Sequence, residues 1–172
     1  MRKAIAVAIL AAAIETTGFL LWLAGIAADK ALLGLLALDV VLVIEHVVTA
    51  QFLVGRVRFL DIFVFSQIET FVVWGAGLAI GQAVGFLPAS VLYWTIGLTV
   101  EHTLTNNVLF GRKLFAQLFD ASLIFPSFVE ALAGILAVVT FPFSRALAAV
   151  NWFALNSTEH VIMDVEVARE FP

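Results

Sequence analysis

Three Glu-His dipeptides, each inside a long apolar stretch, constrain this chain more than any other feature of its sequence. They are Glu45-His46, Glu101-His102 and Glu159-His160, at spacings of 56 and 58 residues, and they contain every histidine of the protein. The apolar stretch before each pair carries one more glutamate, and these three are Glu15, Glu69 and Glu130. The pattern predicts a threefold internal repeat that brings six carboxylates and three imidazoles together inside a membrane.

The residue composition favours a membrane protein. Of the 172 residues, 63% are hydrophobic and 13% are charged, whereas soluble domains are about half apolar and about a quarter charged. A soluble fold of this length could not bury so much apolar surface. The chain has no cysteine, which excludes disulfides and thiolate ligands. It also lacks a basic tail and a stripe of basic and aromatic residues, so we expect no nucleic-acid partner.

Six apolar runs are each long enough to cross the bilayer core, which takes about 20 helical residues. They cover residues 4–27, 31–54, about 59–80, 88–110, about 114–140 and about 145–167. A loop is expected from Gly81 to Leu87, with Pro88 at the favoured start of the fourth helix. Pro126 is expected to break the fifth run, so that Leu114 to Leu123 would lie partly along the membrane interface.

The basic residues predict the orientation of these runs. Seven fall on one side of the predicted topology, and two, Lys30 and Arg145, fall on the other. The seven are Arg2, Lys3, Arg56, Arg58, Arg112, Lys113 and Arg169. Because cytoplasmic loops carry the excess of Lys and Arg, both termini are expected in the cytoplasm.

The resulting fold prediction is an all-α integral membrane protein with six transmembrane helices in one bundle. Each repeat holds two spans, so the three copies insert in parallel and are related by pseudo-threefold symmetry about the membrane normal. One transmembrane domain, residues 1–172, would divide into repeats at about 1–57, 58–113 and 114–172.

The repeat extends beyond the Glu-His pairs. Trp94 and Trp152 each stand seven residues before the glutamate of their pair, and we expect them to pack in the core. Thr49 and Thr105 each stand three residues after their histidine, where their hydroxyls could either orient ligands or hydrogen-bond between neighbouring helices. Asp39 has no counterpart in the other repeats, so it is expected to be a local hydrogen-bond partner rather than a ligand.

Six carboxylates in one layer of the membrane require compensation. Residue counting at 1.5 Å per residue places them about 15–21 Å from the surface where each helix begins, near the middle of the bilayer. All nine lysines and arginines lie at helix ends, and an uncompensated charge at this depth costs several kcal/mol. Three explanations are open: the acids are protonated and hydrogen-bonded to one another, they line a water-filled ion path, or they bind metal ions.

The histidines favour metal ions, because imidazole with carboxylate is a ligand set for iron, manganese and zinc. Six carboxylates can bridge the three edges of a metal triangle in pairs while one histidine caps each metal. We therefore predict a trinuclear site, with a dinuclear site as the alternative, holding two or three ions per chain. Iron is expected first, with manganese or zinc as alternatives. The predicted ligands are Glu15, Glu45, His46, Glu69, Glu101, His102, Glu130, Glu159 and His160.

Two functional classes follow from such a site. The first is a redox metalloprotein, such as a membrane-bound non-haem iron or manganese oxidoreductase that meets a lipid-soluble substrate or electron carrier. The second is a transporter or channel that moves protons or divalent cations through the Glu/His ring. Transport requires a polar path from both membrane surfaces, and the polar residues near the three pairs are uneven among the repeats. A closed, buried cluster is therefore favoured.

Overall fold

The protein is all-helical over the residues described by the computed structural model, which are 1–85 and 87–170. These residues form six long helices and no β-strand. The helices are α1 (Arg2–Ala27), α2 (Ala31–Val54), α3 (Phe59–Ala83), α4 (Leu87–Leu109), α5 (Ile124–Thr140) and α6 (Arg145–Glu170). The prediction of an all-α fold is confirmed, and α2 spans the same residues as its apolar run.

The loop predicted between the third and fourth runs is shorter than expected. α3 continues through Gly81 to Ala83 and is followed by a turn in which Gly85 has φ +65°, a conformation that glycine adopts without a steric penalty. Gly81 is a packing residue instead, because a Cβ there would clash with the Ser90 hydroxyl of α4. Glycine at position 81 therefore allows close helix packing rather than a loop.

The fifth run is interrupted as predicted, but the break lies just before Ile124 rather than at Pro126, and the placement of Leu114 to Leu123 at the membrane interface stays a prediction. Residues 114–120 are irregular, a short 3-10 turn covers Ala121–Leu123, and α5 begins at Ile124. Pro126 lies in the first turn of α5, where a missing N–H leaves no helical hydrogen bond unmade. Upstream, the Asn107 side chain donates to the carbonyl oxygens of Leu114 (3.0 Å) and Gln117 (2.8 Å). Those bonds fold the segment back against the end of α4.

Four helical segments are long and apolar enough to cross a membrane: Arg2–Ala27, Ala31–Val54, Phe59–Ala83 and Ala121–Thr140. Among the described residues, α4 and α6 are as long but do not qualify by composition. Both carry asparagine, threonine and charged residues, many of which are buried. The four candidate spans are consistent with a membrane protein.

The six helices close into a ring. Each helix packs against the next one in sequence, and α6 packs back against α1. One end of the ring gathers many of the basic residues: Arg56 donates to the Leu109 carbonyl (2.9 Å) and Arg58 to the Arg112 carbonyl (3.4 Å). Lys3 at the start of α1 lines one cleft there together with Ala168 of α6.

Two apolar clusters fill the interior on either side of the predicted ligand layer. The aromatic cluster contains Phe19 and all four tryptophans: Trp22, Trp74, Trp94 and Trp152. Phe19 and Trp152 stack with ring centroids 3.6 Å apart. The second cluster lies nearer the basic end and includes Val7, Phe65, Val108 and Val167. On each of α1, α3, α4 and α6 a predicted ligand lies in sequence between the two clusters.

Candidate metal centre

The nine predicted ligands form three groups, each with two glutamates and one histidine. The groups are Glu15, Glu45 and His160; Glu69, Glu101 and His46; and Glu130, Glu159 and His102. Within each group the ligand-capable atoms lie within 4.8 Å of one another. The side chains are almost fully buried: the six glutamates are 1–4% exposed.

The glutamate and histidine of one dipeptide belong to different groups. Adjacent residues point about 100° apart on a helix, so Glu101 faces the group of His46 while His102 faces that of Glu130. The histidine of each helix pair is thus grouped with the two glutamates of the next helix pair in sequence. His160 of α6 is grouped with the glutamates of α1 and α2, which closes the ring. This connection was not predicted from the sequence, which indicated only that all nine residues would meet.

The histidine nitrogens lie at similar distances from several carboxylates. His46 Nε2 is 3.6 Å from Glu45, 3.7 Å from Glu69 and 3.8 Å from Glu101. His102 Nε2 is 3.6 Å from Glu101, 3.2 Å from Glu130 and 3.7 Å from Glu159. In the remaining group, His160 Nε2 is 3.3 Å from Glu15.

The glutamates of the dipeptides connect neighbouring groups. Glu101 places Oε1 near His46 and Oε2 near His102. Glu159 likewise places Oε1 near His102 and Oε2 3.7 Å from His160 Nδ1. Glu45 belongs to the group of His160 and also lies beside His46. All nine residues line one cavity of about 40 Å³, so the three groups share a single space.

Hydroxyl groups orient several of these side chains. Thr49 donates to Glu45 Oε1 (2.5 Å), and Thr105 donates to Glu101 Oε1. Both threonines therefore hydrogen-bond the glutamate one turn earlier on their own helix, and their role in orienting ligands stays a prediction. At the corresponding place after His160 the chain has Met163, which offers no hydroxyl.

Two serines were missed by the sequence reasoning. His46 Nδ1 lies 2.9 Å from Ser66 Oγ, and His102 Nδ1 lies 2.9 Å from Ser127 Oγ. Each serine stands three residues, or about one turn, before Glu69 or Glu130. The Ser-x-x-Glu spacing in α3 and α5 was therefore the signal available in the sequence. At the matching position before Glu15 the chain has an alanine.

Two further donors act on single glutamates. Asn156 donates to Glu15 Oε2, and Trp74 Nε1 donates to Glu69 Oε1 at 3.1 Å. The second contact depends on a π-helical segment, Ile68–Gly75, within α3. A π-helix bonds residues five apart, and its wider turn brings Trp74 onto the same face as Glu69.

Three carboxylate oxygens of the site are fully buried and have no hydrogen-bond donor among the described residues. They are Oε2 of Glu45, Oε2 of Glu69 and Oε2 of Glu130, and one falls in each group. Buried polar groups are nearly always satisfied, and an exception calls for an explanation such as an ion. Glu69 and Glu130 direct these same atoms toward an imidazole, at 3.7 and 3.2 Å from Nε2.

Asp39 lies outside the three groups, as expected. Its Oδ1 accepts hydrogen bonds from Gln67 (2.5 Å) and Thr70 (3.4 Å) of α3. It therefore joins α2 to α3. Trp94 and Trp152 are fully buried packing residues, as predicted.

No protein family, curated protein or solved structure matches the chain, so its function must be inferred from the geometry of this site.

Proposed function

We propose that this protein is an integral membrane metalloprotein whose six glutamates and three histidines hold a trinuclear iron centre. The observation that carries the proposal is the orphaned carboxylate oxygen in each of the three Glu/His groups, buried beside an imidazole. A buried carboxylate is normally paired with a cation or coordinates a metal. Among the described residues no lysine or arginine side chain forms an ion pair with these glutamates.

The distances favour coordination over hydrogen bonding. A hydrogen bond from imidazole to one carboxylate would draw that pair to about 2.7–3.2 Å, yet His46 Nε2 lies 3.6–3.8 Å from three carboxylates at once. Ligands around one ion with bonds of about 2.0–2.2 Å lie about 3–4.3 Å apart. All three carboxylates around His46 Nε2 have this spacing, which supports a shared central ion more than a belt of protonated acids.

The serines complete this interpretation. Histidine ligands commonly donate their second ring N–H to a nearby acceptor, which fixes the tautomer and the ring orientation. Ser66 and Ser127 stand in that position at Nδ1 of His46 and His102. When Nδ1 carries the proton and donates to serine, Nε2 has a free lone pair that faces carboxylates. A cation between Nε2 and these carboxylates would stabilise this arrangement.

Charge balance and connectivity favour three ions. Three divalent ions neutralise six carboxylates. Glu45, Glu101 and Glu159 each lie beside two histidines, so each can bridge two ions, while Glu15, Glu69 and Glu130 each serve one group. A dinuclear centre would leave one group of buried carboxylates without compensation. Manganese is the alternative metal, because it shares the preference for carboxylate ligands.

The outward surface of α4 and α6 supports six spans. On α4 the exposed residues are Pro88, Leu92 and Ile96, one stripe at four-residue spacing. Between Ala146 and Ile162 of α6 the exposed residues are apolar except Thr158, whose hydroxyl donates to the Ala154 carbonyl (2.9 Å). The polar residues that lower the mean hydropathy of both helices thus face the interior, and a lipid-facing surface remains.

The same evidence supports the predicted symmetry and orientation. Three Glu/His groups of identical composition, linked in a ring through three helix pairs, are what three parallel repeats about the membrane normal would produce. The basic end of the bundle is expected in the cytoplasm with both termini. The single domain of three repeats, about 1–57, 58–113 and 114–172, remains part of this proposal.

A redox role is favoured over transport. Nitrogen and oxygen ligands suit iron or manganese, and a bound iron centre would supply one-electron chemistry to a lipid-soluble substrate or electron carrier. A channel needs a polar path on both sides of the site. On the side away from the basic end, the aromatic cluster of Phe19 and the four tryptophans fills the interior. The structure therefore favours a closed centre, as in a membrane-bound oxidoreductase.

Metal analysis of the purified protein tests the proposal. We expect two or three iron or manganese ions per chain, and a chelator should lower the melting temperature because binding to the folded state stabilises it. His46→Ala, His102→Ala and His160→Ala should each reduce metal content. Asp39→Asn is the control: it alters a buried carboxylate outside the groups and should keep the metal. Protein that contains no metal and melts identically in chelator would favour the protonated belt instead.

A further inference from the structure

A polar cavity of about 250 Å³ lies beside the metal centre, between the end of α4, the segment before α5 and α6. Two carboxylates and three carboxamides line it, together with the Arg112 side chain. The acids are Asp120 and Glu166, and the carboxamides belong to Asn106, Asn107 and Gln117. Arg112 and Glu166 are exposed, so the cavity meets the surface at the basic end of the bundle.

This cavity adjoins the one that contains the nine candidate ligands. Asn106, Met163 and Val167 line both spaces and form the wall between them. Asn106 Oδ1 is buried and has no hydrogen-bond partner in the part of the chain that the structure describes. A carbonyl oxygen left free at this wall is available to a cation that passes from one space to the other.

Asp164 lies on the inner side of the same wall. It stands one turn after His160, is 4% exposed and lines the ligand cavity. Its Oδ2 has no hydrogen-bond partner within the described residues, and Asp164 belongs to none of the three Glu/His groups. Four residues after His46 and His102, at the positions that correspond to Asp164, the chain has Ala50 and Asn106. The extra carboxylate is thus specific to the α6 side, where the polar cavity lies.

We propose that this cavity is the passage by which hydrated divalent cations reach the metal centre, an inference that rests on the function proposed above. Asp120 and Glu166 attract the cation at the mouth. The Asn106 oxygen replaces part of its hydration shell, and the Asp164 carboxylate receives it before transfer to Glu159. Arg112 opposes the attraction, so its charge limits the rate of uptake.

The aromatic cluster makes this passage one-sided. Its five rings fill the opposite half of the interior, and Trp94, Trp152 and Phe19 are fully buried. A cation reaching the centre from that side would have to cross this layer of buried apolar side chains. The passage therefore loads a centre that stays in place and does not continue through the membrane.

The rate of metal uptake by metal-free full-length protein tests the passage. Protein stripped with chelator would be mixed with Fe²⁺ under anaerobic conditions, and bound iron would be measured over time. Asn106→Leu and Asp164→Asn should slow uptake by about tenfold, and Glu166→Gln by about threefold with a weaker dependence on salt. Arg112→Gln should accelerate it. The final iron content should equal that of the unchanged protein in every case.

Asp61→Asn is the matched control, because Asp61 lies at the same end but pairs with Arg58 at 2.6 Å outside the cavity; its uptake should be unchanged. Equal rates in all variants would refute the passage while leaving the metal centre intact. A lower final iron content in Asp164→Asn would make Asp164 a ligand of the centre and overturn its transfer role. Unchanged protein that binds no iron would instead refute the proposed function. If Asp164→Asn does not fold, the uptake rates of Asn106→Leu and of the surface variant Glu166→Gln still test the passage.

Discussion

At the scale of single residues, the site separates what sequence can and cannot show. All nine candidate ligands could be named, because charged residues inside apolar runs are rare and their spacing repeats. The division of each dipeptide between two groups could not, since it depends on the rotation of α2, α4 and α6 against their neighbours. Ser66 and Ser127 each stand three residues before a ligand glutamate, but this spacing alone does not reveal that their hydroxyls contact the histidines of another helix.

Those serines give a residue-scale prediction. Ser66→Ala removes the partner of His46 Nδ1, and loss of such an orienting contact typically lowers metal affinity by about 10–100-fold. Competition with a graded series of chelators measures this change. Ser157→Ala is the control, because the Ser157 hydroxyl is buried without a hydrogen-bond partner among the described residues; its affinity should not fall. Equal metal affinities for the two variants would show that Ser66 does not orient a ligand of the site.

At the scale of helices, most boundaries followed from the lengths of the apolar runs and the basic residues at their ends, and the failures have local causes. Gly81 suggested a loop but serves close packing against Ser90. Pro126 suggested a break but lies in the first turn of α5. The π-helical segment that sets Trp74 over Glu69 leaves no simple mark in sequence, because it depends on how α3 packs against its neighbours.

Close contact between α1 and α2 gives a helix-scale prediction. A Cβ added at Gly34 would lie 2.8 Å from the Trp22 carbonyl oxygen, and neither backbone can yield easily. Gly34→Ala should therefore destabilise the protein by about 1–3 kcal/mol, as overpacking generally does. In Gly75→Ala the nearest atom is the end of the Leu35 side chain at 3.0 Å, which can rotate. Thermal unfolding in detergent should show a clear loss for the first variant and little for the second.

At the scale of the whole molecule, the three groups are related but not identical. Two histidines contact a serine, whereas His160 lies beside Glu15, which accepts a hydrogen bond from Asn156. Only the α6 side carries the extra carboxylate Asp164. The internal repeat in the sequence predicted a ring of equivalent groups but not these differences. They occur where α6, the last helix of the third pair, packs against α1. The symmetric part can bind the metal, and the asymmetric part can provide access to it.

Whether the ring is one centre or three separate sites is decided by comparing two glutamates of the same group. Glu69 contacts His46, whereas Glu101 contacts both His46 and His102. If Glu101 bridges two ions, Glu101→Gln should release about two ions per chain and Glu69→Gln about one, because removing a shared ligand disturbs both of its partners. Both changes keep the side-chain shape, so each serves as the control for the other in metal analysis.

Melting of a double variant provides the second half of that comparison. Glu130 and Glu101 belong to different groups, but Glu101 also lies beside His102 of the Glu130 group. In one coupled centre, Glu130→Gln combined with Glu101→Gln should destabilise little more than the worse single change, since loss of Glu101 already disrupts the ion that Glu130 would hold. Independent sites more than about 7–10 Å apart would give losses that add within about 0.5 kcal/mol. Additive losses together with equal ion loss from Glu69→Gln and Glu101→Gln would replace the trinuclear centre with three mononuclear sites.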